Sequence, residues 1–162
     1  MKDFNYRVRA AVEADLPSLT ELAWEQLQFH ARLAPRWIQP YGKEQFKGQW
    51  IPYGGRFIAN PDRLIVVAEA DSSLLGYLAG KVETQPPVIQ GGNRLVVDDL
   101  YVLEEHRGKG IGGALLEQSY RWARELGADR VALGVMFENV RARSFYARSG
   151  FDTLELRLIK SL

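Results

Sequence analysis

Cysteine is absent from this chain of 162 residues. Without a thiol the protein can form no disulfide, no thiolate metal site and no cysteine nucleophile, and the absence is typical of a reducing cytoplasm. The sequence also lacks an apolar run near the roughly 18 residues of a membrane-spanning helix, and its polar start differs from a signal peptide. We therefore expect a cytoplasmic protein that does not enter a membrane.

The net charge is also small, because 21 lysines and arginines nearly balance 20 acidic residues and leave a formal charge of +1. Such a balance gives no overall attraction to nucleic acid or to an anionic membrane surface, so we expect neither partner. The two histidines, His30 and His106, show no spacing for a metal site or a catalytic triad, and we expect no metal. The length and the 46% hydrophobic content suit a single domain over residues 1–162.

What the sequence does contain is a strand, a glycine-rich loop and a helix between Arg94 and Gly127. Leu95–Leu103 is apolar apart from Asp98 and Asp99, as in a buried strand, and adjacent residues of a regular strand face opposite sides. After the loop, apolar residues recur at helical spacing until Gly127, where a left-handed cap would end the helix. This unit carries the strongest functional signal in the chain.

The loop contains four glycines within six residues: Gly108, Gly110, Gly112 and Gly113. Because glycine has no Cβ, a ligand can approach the backbone amides at the helix start, where the helix dipole is positive. Arg107 and Lys109 add positive charge, so we predict a phosphate-bearing ligand here. A loop that only permits tight packing of helix on strand is the alternative.

Two other phosphate-binding motifs fit this loop less well. The spacing of Gly108, Gly110 and Gly113 matches the dinucleotide fingerprint, but polar residues separate the loop from its strand, and residues 139–162 leave no room for a second βαβ half. A Walker loop would need Gly-Lys-Ser or Gly-Lys-Thr, which the sequence does not contain. Nucleotide binding stays a third interpretation of the loop.

The loop resembles the acyl-CoA-binding motif of the GNAT superfamily of N-acetyltransferases, in which Arg or Gln is followed by two residues, Gly, one residue, and Gly or Ala. Arg107, Gly110 and Gly112 supply that motif. A second signature of the superfamily follows it: Asn139-x-x-Ala142-x-x-Phe145-Tyr146-x-x-x-Gly150-Phe151. The resemblance covers about a third of the chain, all in its C-terminal half. It implies an acetyl-CoA-dependent N-acetyltransferase that acts on a primary amine by direct attack within a ternary complex.

Periodicity and turn residues predict the element order βα(α)βββαβαβ. The predicted elements are a strand Tyr6–Val12, a helix from Asp15 that stops before Pro35, a hairpin of Leu64–Ala70 and Leu74–Thr84, a strand Arg130–Met136, a short helix after Asn139 and a last strand Phe151–Ile159. Residues 29–57 are expected to be irregular. The resemblance implies the matching α/β (α+β) fold: a mixed, mostly antiparallel central sheet with helices on both faces and two strands splayed to admit acyl-CoA.

The resemblance also implies where acetyl-CoA, the expected co-substrate, would bind. The expected contacts come from the central strand, the glycine loop and one asparagine: Leu100, Tyr101, Val102, Arg107, Gly108, Lys109, Gly110, Ile111, Gly112, Gly113 and Asn139. A backbone N–H near Tyr101 or Val102 is expected to meet the oxyanion. Asn139 could also be an ordinary helix N-cap.

Acyl transfer to an amine needs a base, because an alkyl ammonium with a pKa of about 10.4 is almost fully protonated at neutral pH. Asp98 and Asp99 are the candidate bases, and the resemblance favours Asp98. Tyr146 is the candidate acid for the leaving thiolate, since a phenol keeps its proton at neutral pH. Phe145 is expected to fill the core while Tyr146 faces the cleft. The alternatives are structural: acids bonded to loop amides or basic side chains, and a core tyrosine with a satisfied hydroxyl.

The acceptor is expected to meet four side chains of the aromatic segment: Phe29, His30, Trp37 and Tyr41. These rings could instead pack the segment onto the sheet. A small-molecule amine, a protein N-terminus or a lysine would each suit such a wall, and a homodimer is a further expectation. A non-catalytic acyl-CoA-binding sensor on the same fold is the alternative function.

Overall fold

The computed structural model describes residues 5–88 and 90–161. Within them, strands and helices follow one another as β1 Arg7–Ala10, α1 Leu16–Leu33, α2 Lys43–Ile58, β2 Arg63–Ala70, β3 Ser73–Glu83, β4 Asn93–Val102, α3 Ile111–Glu125, β5 Ala128–Leu133 and α4 Val140–Arg148. Short 3₁₀ turns precede α1 and α3, at Glu13–Asp15 and Glu104–His106. The predicted order of elements is confirmed as far as α4.

The strands form one sheet in the order β1-β2-β3-β4-β5, antiparallel throughout except for the parallel pair β4-β5. That parallel ladder ends at the pair Val97 and Leu133, whereas β4 continues to Val102. The last residues of β4 therefore have no β5 partner, and the sheet is open on that side. The expected mixed, mostly antiparallel and splayed sheet is confirmed.

Helices cover both faces of the sheet, as expected. On one face, α1 and α2 pack a core that includes Leu19, Phe57 and Tyr77. On the other face, α3 packs a core that includes Leu78 and Leu115. Tyr77 and Leu78 are neighbours on β3, so the alternation of the strand gives one side chain to each core.

Local sequence signals set the limits of α1 and α3. Helix α1 ends at Leu33, ahead of Pro35, because the residue before a proline disfavours helical geometry. Helix α3 begins after Gly110 and ends before Gly127, and both glycines are left-handed, with φ of +82° and +77°. Glycine adopts this conformation without the steric cost that a Cβ would bring.

Helix α2 corrects the expectation that residues 29–57 are irregular. Pro52 lies inside it and disfavours a helix, since a proline cannot donate the backbone hydrogen bond of its position. The aromatic side chains outweigh this cost, because Phe46, Trp50 and Phe57 recur at helical spacing and pack on the core of the α1 face. Burial of rings, the alternative considered for this segment, therefore accounts for much of its aromatic content.

Residues 151–161 form no strand, so the predicted last strand Phe151–Ile159 is wrong. Leu154, Leu156 and Leu158 alternate along this segment and are 78–90% exposed. A period of two is a local property of the sequence, whereas a strand also needs a partner edge for its backbone groups. Among the described residues, β5 pairs only with β4 and its outer edge has no neighbouring strand.

Neither described range, 5–88 or 90–161, contains a helix that is both long enough and apolar enough to cross a membrane. The same ranges contain no group of three or more His, Cys, Asp or Glu side chains placed to hold a metal ion.

Candidate active site

A cavity of about 350 Å³ lies at the open side of the sheet, beyond the last β4-β5 pair. Its walls come from the end of β4, the loop before α3, the first turn of α3, the second half of α1, and α4. Thirteen of the predicted site residues line it: Phe29, His30, Leu100, Tyr101, Val102, Arg107, Gly108, Gly110, Ile111, Gly112, Gly113, Asn139 and Tyr146. Both sequence signatures and part of the predicted acceptor segment thus meet at one cavity.

The loop before α3 presents backbone amides to this cavity. Gly108 and Gly110 have φ of +80° and +82°, in the left-handed region that favours glycine. Helical bonding starts with Ala114 N donating to Gly110 O at 3.1 Å, so the amides of the first three helical residues have no partner within α3. A Cβ at Gly113 would meet no atom within 4 Å, which leaves open space there. These features fit a phosphate-bearing ligand at the positive end of a helix.

Arg107 ties this loop to the end of β4. Its Nε donates to the backbone oxygen of Val102 at 2.8 Å. Its guanidinium lies over the rings of Phe29 and Tyr101, at 5.2 and 5.4 Å from their centroids. Arg107 therefore shapes the cavity as well as adding charge to it. Lys109 is not a lining residue, and its Nζ lies 3.3 Å from His106 Nδ1.

The end of β4 supplies backbone donors on the open side of the sheet. Leu103 N donates to Leu75 O of the neighbouring strand at 2.9 Å. In an antiparallel ladder the N–H groups point alternately to the two sides, so those of Leu100 and Val102 face away from β3. On that side β5 has already separated, and these two N–H groups border the cavity.

The two adjacent acids occupy different environments because β4 is bulged at Asp98. Asp99 pairs with Ala79 and Val97 with Gly80, which leaves Asp98 without a partner on β3. Burial raises the pKa of Asp99 to about 6, and the charge of Asp98 adds to this rise. Asp98 is exposed, and although desolvation raises the pKa of its carboxyl, Lys81 and Arg63 oppose that rise.

Tyr146 lies on α4 in a cluster of rings. Its centroid is 5.2 Å from that of Phe145 and 5.5 Å from that of Phe151. Burial raises the pKa of the Tyr146 phenol to about 12, so it keeps its proton at neutral pH. Phe145 packs against the core beneath α3, as expected, but it lines the cavity together with Tyr146. Phe145 can do so because it packs over Gly112, where even a Cβ would be only 3.4 Å from its ring.

Asn139 precedes α4 and lines the cavity. Its Oδ1 accepts a hydrogen bond from Ala142 N at 3.1 Å, which is an N-cap of the helix. The amide nitrogen of its side chain is not used in that bond. The predicted cap is thus present, and a contact with a ligand in the cavity is compatible with it.

The predicted acceptor residues divide into two groups. Phe29 and His30, on the second half of α1, line the cavity, and burial lowers the pKa of His30. Trp37 and Tyr41, in the connection between α1 and α2, do not line it. Arg36 covers the Trp37 ring at 4.6 Å, and Tyr41 is 68% exposed. The structure therefore brings only the first group to the cavity.

Six lining residues were not among the predicted site residues: Gln26, His106, Arg141, Ala142, Phe145 and Arg148. Arg141 and Arg148 add positive charge from α4. Gln26 could have been noticed, because it continues the spacing of the buried stripe Leu19, Leu22 and Ala23 with a polar side chain. A buried polar group needs a specific partner, and the sequence could not say which.

Comparisons with known proteins agree with this geometry. The family model described as "Acetyltransferase (GNAT) family" matches residues 16–151. An uncharacterized N-acetyltransferase of Mycobacterium tuberculosis is 35% identical over 96 residues, which are 59% of this chain and 56% of that protein. The streptothricin acetyltransferase of Streptomyces lavendulae is 36% identical over 89 residues, which are 55% of this chain and 44% of that enzyme. The chain thus matches about half the length of these curated relatives.

Among solved structures, an aminoglycoside N-acetyltransferase in complex with CoA superposes with a TM-score of 0.74. The superposition covers 98% of this chain and 95% of that one, at 15% sequence identity, and so supports the fold alone. The family match extends over most of the chain and includes both sequence signatures. This chain belongs to the acetyltransferase (GNAT) family.

Proposed function

We propose that this protein, as a single domain over residues 1–162, transfers the acetyl group of acetyl-CoA to a primary amine by direct attack within a ternary complex. One observation carries the proposal. A single cavity joins the glycine-lined start of α3, the unpaired edge of β4 and the Tyr146 phenol. These parts supply a phosphate site, backbone donors and a proton donor, which are what the reaction needs beside a base.

The start of α3 would hold the phosphate groups of acetyl-CoA. Its free amides and the open space at Gly113 support this assignment. Arg141 and Arg148 reinforce it, because no carboxylate of the described residues forms an ion pair with either of them. Asn139 would donate from its side-chain nitrogen to the pantetheine arm. When bound, acetyl-CoA supplies an activated acyl carbon with a thiolate leaving group.

The N–H of Val102 is our candidate donor to the oxyanion that forms when the amine attacks. It borders the cavity, whereas the alternation of the ladder directs the N–H of Tyr101 toward β3. The Val102 carbonyl, in the next peptide unit, accepts a hydrogen bond from Arg107 Nε at 2.8 Å, which anchors the end of β4 beside this donor. A donor fixed before the reaction stabilises developing charge without reorganisation.

Proton transfer is assigned to a carboxylate of β4 and to Tyr146. The carboxylate takes a proton from the ammonium group of the acceptor, and Tyr146 gives its proton to the departing thiolate. The raised pKa of Tyr146, about 12, keeps the phenol protonated at neutral pH. The two β4 acids are both candidates at this level.

The acceptor would approach from the α1 side, past Phe29 and His30. Glu25 stands near this wall, where it accepts a hydrogen bond from the Tyr101 hydroxyl at 3.3 Å. An acidic side chain beside the cavity favours a cationic amine, as a free small-molecule amine, a protein N-terminus or a lysine would be. The name of the streptothricin relative makes an antibiotic amine one class to test. A homodimer is a further part of the proposal.

Thermal unfolding with acetyl-CoA, CoA and NAD at matched concentrations tests the cofactor. A ligand at about 100 times its Kd stabilises by about 2.7 kcal/mol, which raises the Tm of a domain of this size by roughly 5–10 °C. We expect this rise with acetyl-CoA and none with NAD. A panel of aminoglycosides, diamines and peptides with free N-termini, followed by thiol release, then tests the transfer.

The outcomes separate the alternatives. A larger shift with NAD would revive nucleotide binding at the glycine loop. A shift with acetyl-CoA but no thiol release with any amine of the panel would favour the non-catalytic acyl-CoA sensor.

A further inference from the structure

We infer that Gln26 is a positioning residue: its side-chain amide, held by the buried hydroxyl of Tyr77, orients Asp99 rather than Asp98 as the carboxylate that deprotonates the acceptor. The inference rests on the proposed function and deepens it. It depends on three features of the structure, namely the bulge in β4, the hydrogen bonds of Gln26, and the one free oxygen of Asp99.

The bulge is what turns Asp99 toward α1. Before the bulge, Leu95 and Val97 belong to the core beneath α3. Beyond it, Tyr101 belongs to the core beneath α1, together with Ala79, the partner of Asp99. In a regular strand without a bulge, alternation would place all these odd-numbered side chains on one face, so it is the bulge that separates Asp99 and Tyr101 from Leu95 and Val97.

Gln26 connects Asp99 to the core of the α1 face. Its side chain is 5% exposed. The hydroxyl of Tyr77 donates to Gln26 Oε1, and Gln26 Nε2 donates to Asp99 Oδ1 at 2.9 Å. Burial raises the pKa of Tyr77 well above its ordinary value, so this phenol stays a donor. The amide oxygen is thereby fixed toward Tyr77 and the amide nitrogen toward Asp99.

One oxygen of Asp99 is left for the acceptor. Oδ1 accepts from Gln26, whereas Oδ2 accepts no hydrogen bond from the described residues. Among the same residues, no side-chain oxygen or nitrogen is both buried and without a partner, so Oδ2 retains access to solvent. Gln26 itself lines the cavity, as does Leu100, the residue after Asp99. Asp99 is not itself among the residues that line the cavity, so Oδ2 would receive a proton through a water at the wall that Gln26 and Leu100 form.

The groups around Asp99 favour a base that titrates near neutral pH. The charged group nearest to Asp99 is Asp98, its neighbour on β4. Three phenols also interact with Asp99: Tyr53 from α2, Tyr77 from β3 and Tyr146 from α4. No lysine or arginine of the described residues is among the groups that shift the pKa of Asp99. Asp98, in contrast, has Lys81 and Arg63 nearby, which stabilise its charged form and make it a weaker base.

The proton balance follows from this placement. The ammonium group gives one proton to Asp99 Oδ2, which later releases it to solvent. The neutral nitrogen forms a bond to the acyl carbon as the carbon–sulfur bond breaks, and Tyr146 protonates the thiolate. The second proton of the attacking nitrogen replaces the one that Tyr146 has lost, so the enzyme returns to its starting state.

The test compares Gln26→Leu with the same change at Gln28, which lies on α1 but does not line the cavity. The ¹³C carboxyl resonance of Asp99 is followed by NMR as a function of pH, beside the pH profile of kcat/KM. Because the Gln26 bond stabilises the ionised carboxylate, its loss should move the Asp99 titration and the acid limb of kcat/KM upward by about one on the pH scale. Gln28→Leu should move neither, and it should bind acetyl-CoA with a Kd within about twofold of the parent.

Tyr77→Phe is the milder second variant, in case Gln26→Leu does not fold. It frees the Gln26 amide to rotate, so the titration should move in the same direction by a smaller amount. An unmoved Asp99 titration in either folded variant would overturn the inference, and so would an acid limb that disappears in Asp98→Asn and persists in Asp99→Asn. A moved titration in a protein that acetylates no amine would leave the hydrogen-bonded chain in place and overturn the proposed function instead.

Discussion

The two faces of the sheet build their parts of the site in different ways. On the α3 face, the loop and helix start proposed to hold the phosphate groups of acetyl-CoA are contiguous, from Arg107 to Gly113, and present backbone amides. On the α1 face, the proposed base depends on Gln26, Tyr77 and Asp99, which are far apart in the sequence and act through side chains. A site that binds through backbone amides tolerates many side chains but requires the left-handed conformation that glycine adopts. A site that depends on a chain of side-chain hydrogen bonds fails when one partner is replaced.

The largest expected effect is on the α1 face. Asp99→Asn removes the proposed base while keeping the size of the side chain, and should lower kcat by about 100- to 1,000-fold. Asp98→Asn is the matched control and should stay within about threefold of the parent enzyme, because its carboxylate is exposed and is not held by Gln26. Steady-state kinetics with the best amine of the panel measures both. If kcat falls more in Asp98→Asn than in Asp99→Asn, Asp98 is the base.

The next effect involves the cavity that both faces share. Tyr146→Phe removes the proposed acid but keeps the ring that packs on Phe145 and Phe151. We expect kcat to fall by about 10- to 100-fold, with the Kd for acetyl-CoA nearly unchanged. Initial rates measure kcat, and isothermal titration calorimetry measures the Kd for acetyl-CoA. Full activity across the pH range would show that solvent protonates the thiolate.

A smaller effect is expected on the α3 face, and it should appear in binding and stability together. Gly110→Ala places a Cβ on a left-handed residue and should lower the free energy of unfolding by about 1–2 kcal/mol. It should also raise the KM for acetyl-CoA, since the amides at the helix start would shift. Gly48→Ala is the control, because Gly48 lies inside α2 with no atom within 4 Å of an added Cβ and should be slightly stabilised. A Gly110→Ala protein as stable as the parent would show that the loop is not constrained.

The smallest effect concerns the helix cap at the cavity rim. Asn139→Ala removes the bond from Ala142 N and should cost about 1 kcal/mol of stability. Asn139→Asp keeps an oxygen for the cap but removes the side-chain nitrogen. If that nitrogen contacts the pantetheine arm, only acetyl-CoA binding should weaken in Asn139→Asp, and an unchanged Kd would reduce Asn139 to a cap. Thermal unfolding measures the loss of stability, and isothermal titration calorimetry measures the Kd for acetyl-CoA.

The contrast between the faces also explains what the sequence could predict. The glycine loop and the capping residues Asn139 and Gly127 act over a few neighbouring positions, so local spacing was enough to place them. Gln26 was missed because nothing in α1 indicates that Asp99 lies above it. Trp37 and Tyr41 were predicted at the acceptor site only because their segment is rich in aromatic residues, and composition does not tell where a side chain points.

The two errors in secondary structure have the same origin. Helix α2 entered the predicted order only as an optional second helix, and residues 29–57 were expected to be irregular, because its glycines and Pro52 disfavour a helix locally while its rings are buried against elements that are distant in sequence. The strand predicted for residues 151–159 has the right alternation but no partner edge in the described structure. In both cases tertiary contacts, or their absence, decided the outcome.

The bulge at Asp98 also has a consequence for how the gene can change. Loss of the codon for residue 98 would leave Asp99 opposite Ala79 and Val97 opposite Gly80, so every buried pair of β3 and β4 would stay in register. Because residues 98 and 99 are both aspartate, loss of either codon gives the same chain. Loss of another codon between Leu95 and Tyr101 would either turn a core side chain to the wrong face of the sheet or bring an aspartate into its place. The strand therefore has one position at which a lineage could gain or lose a residue without losing the fold.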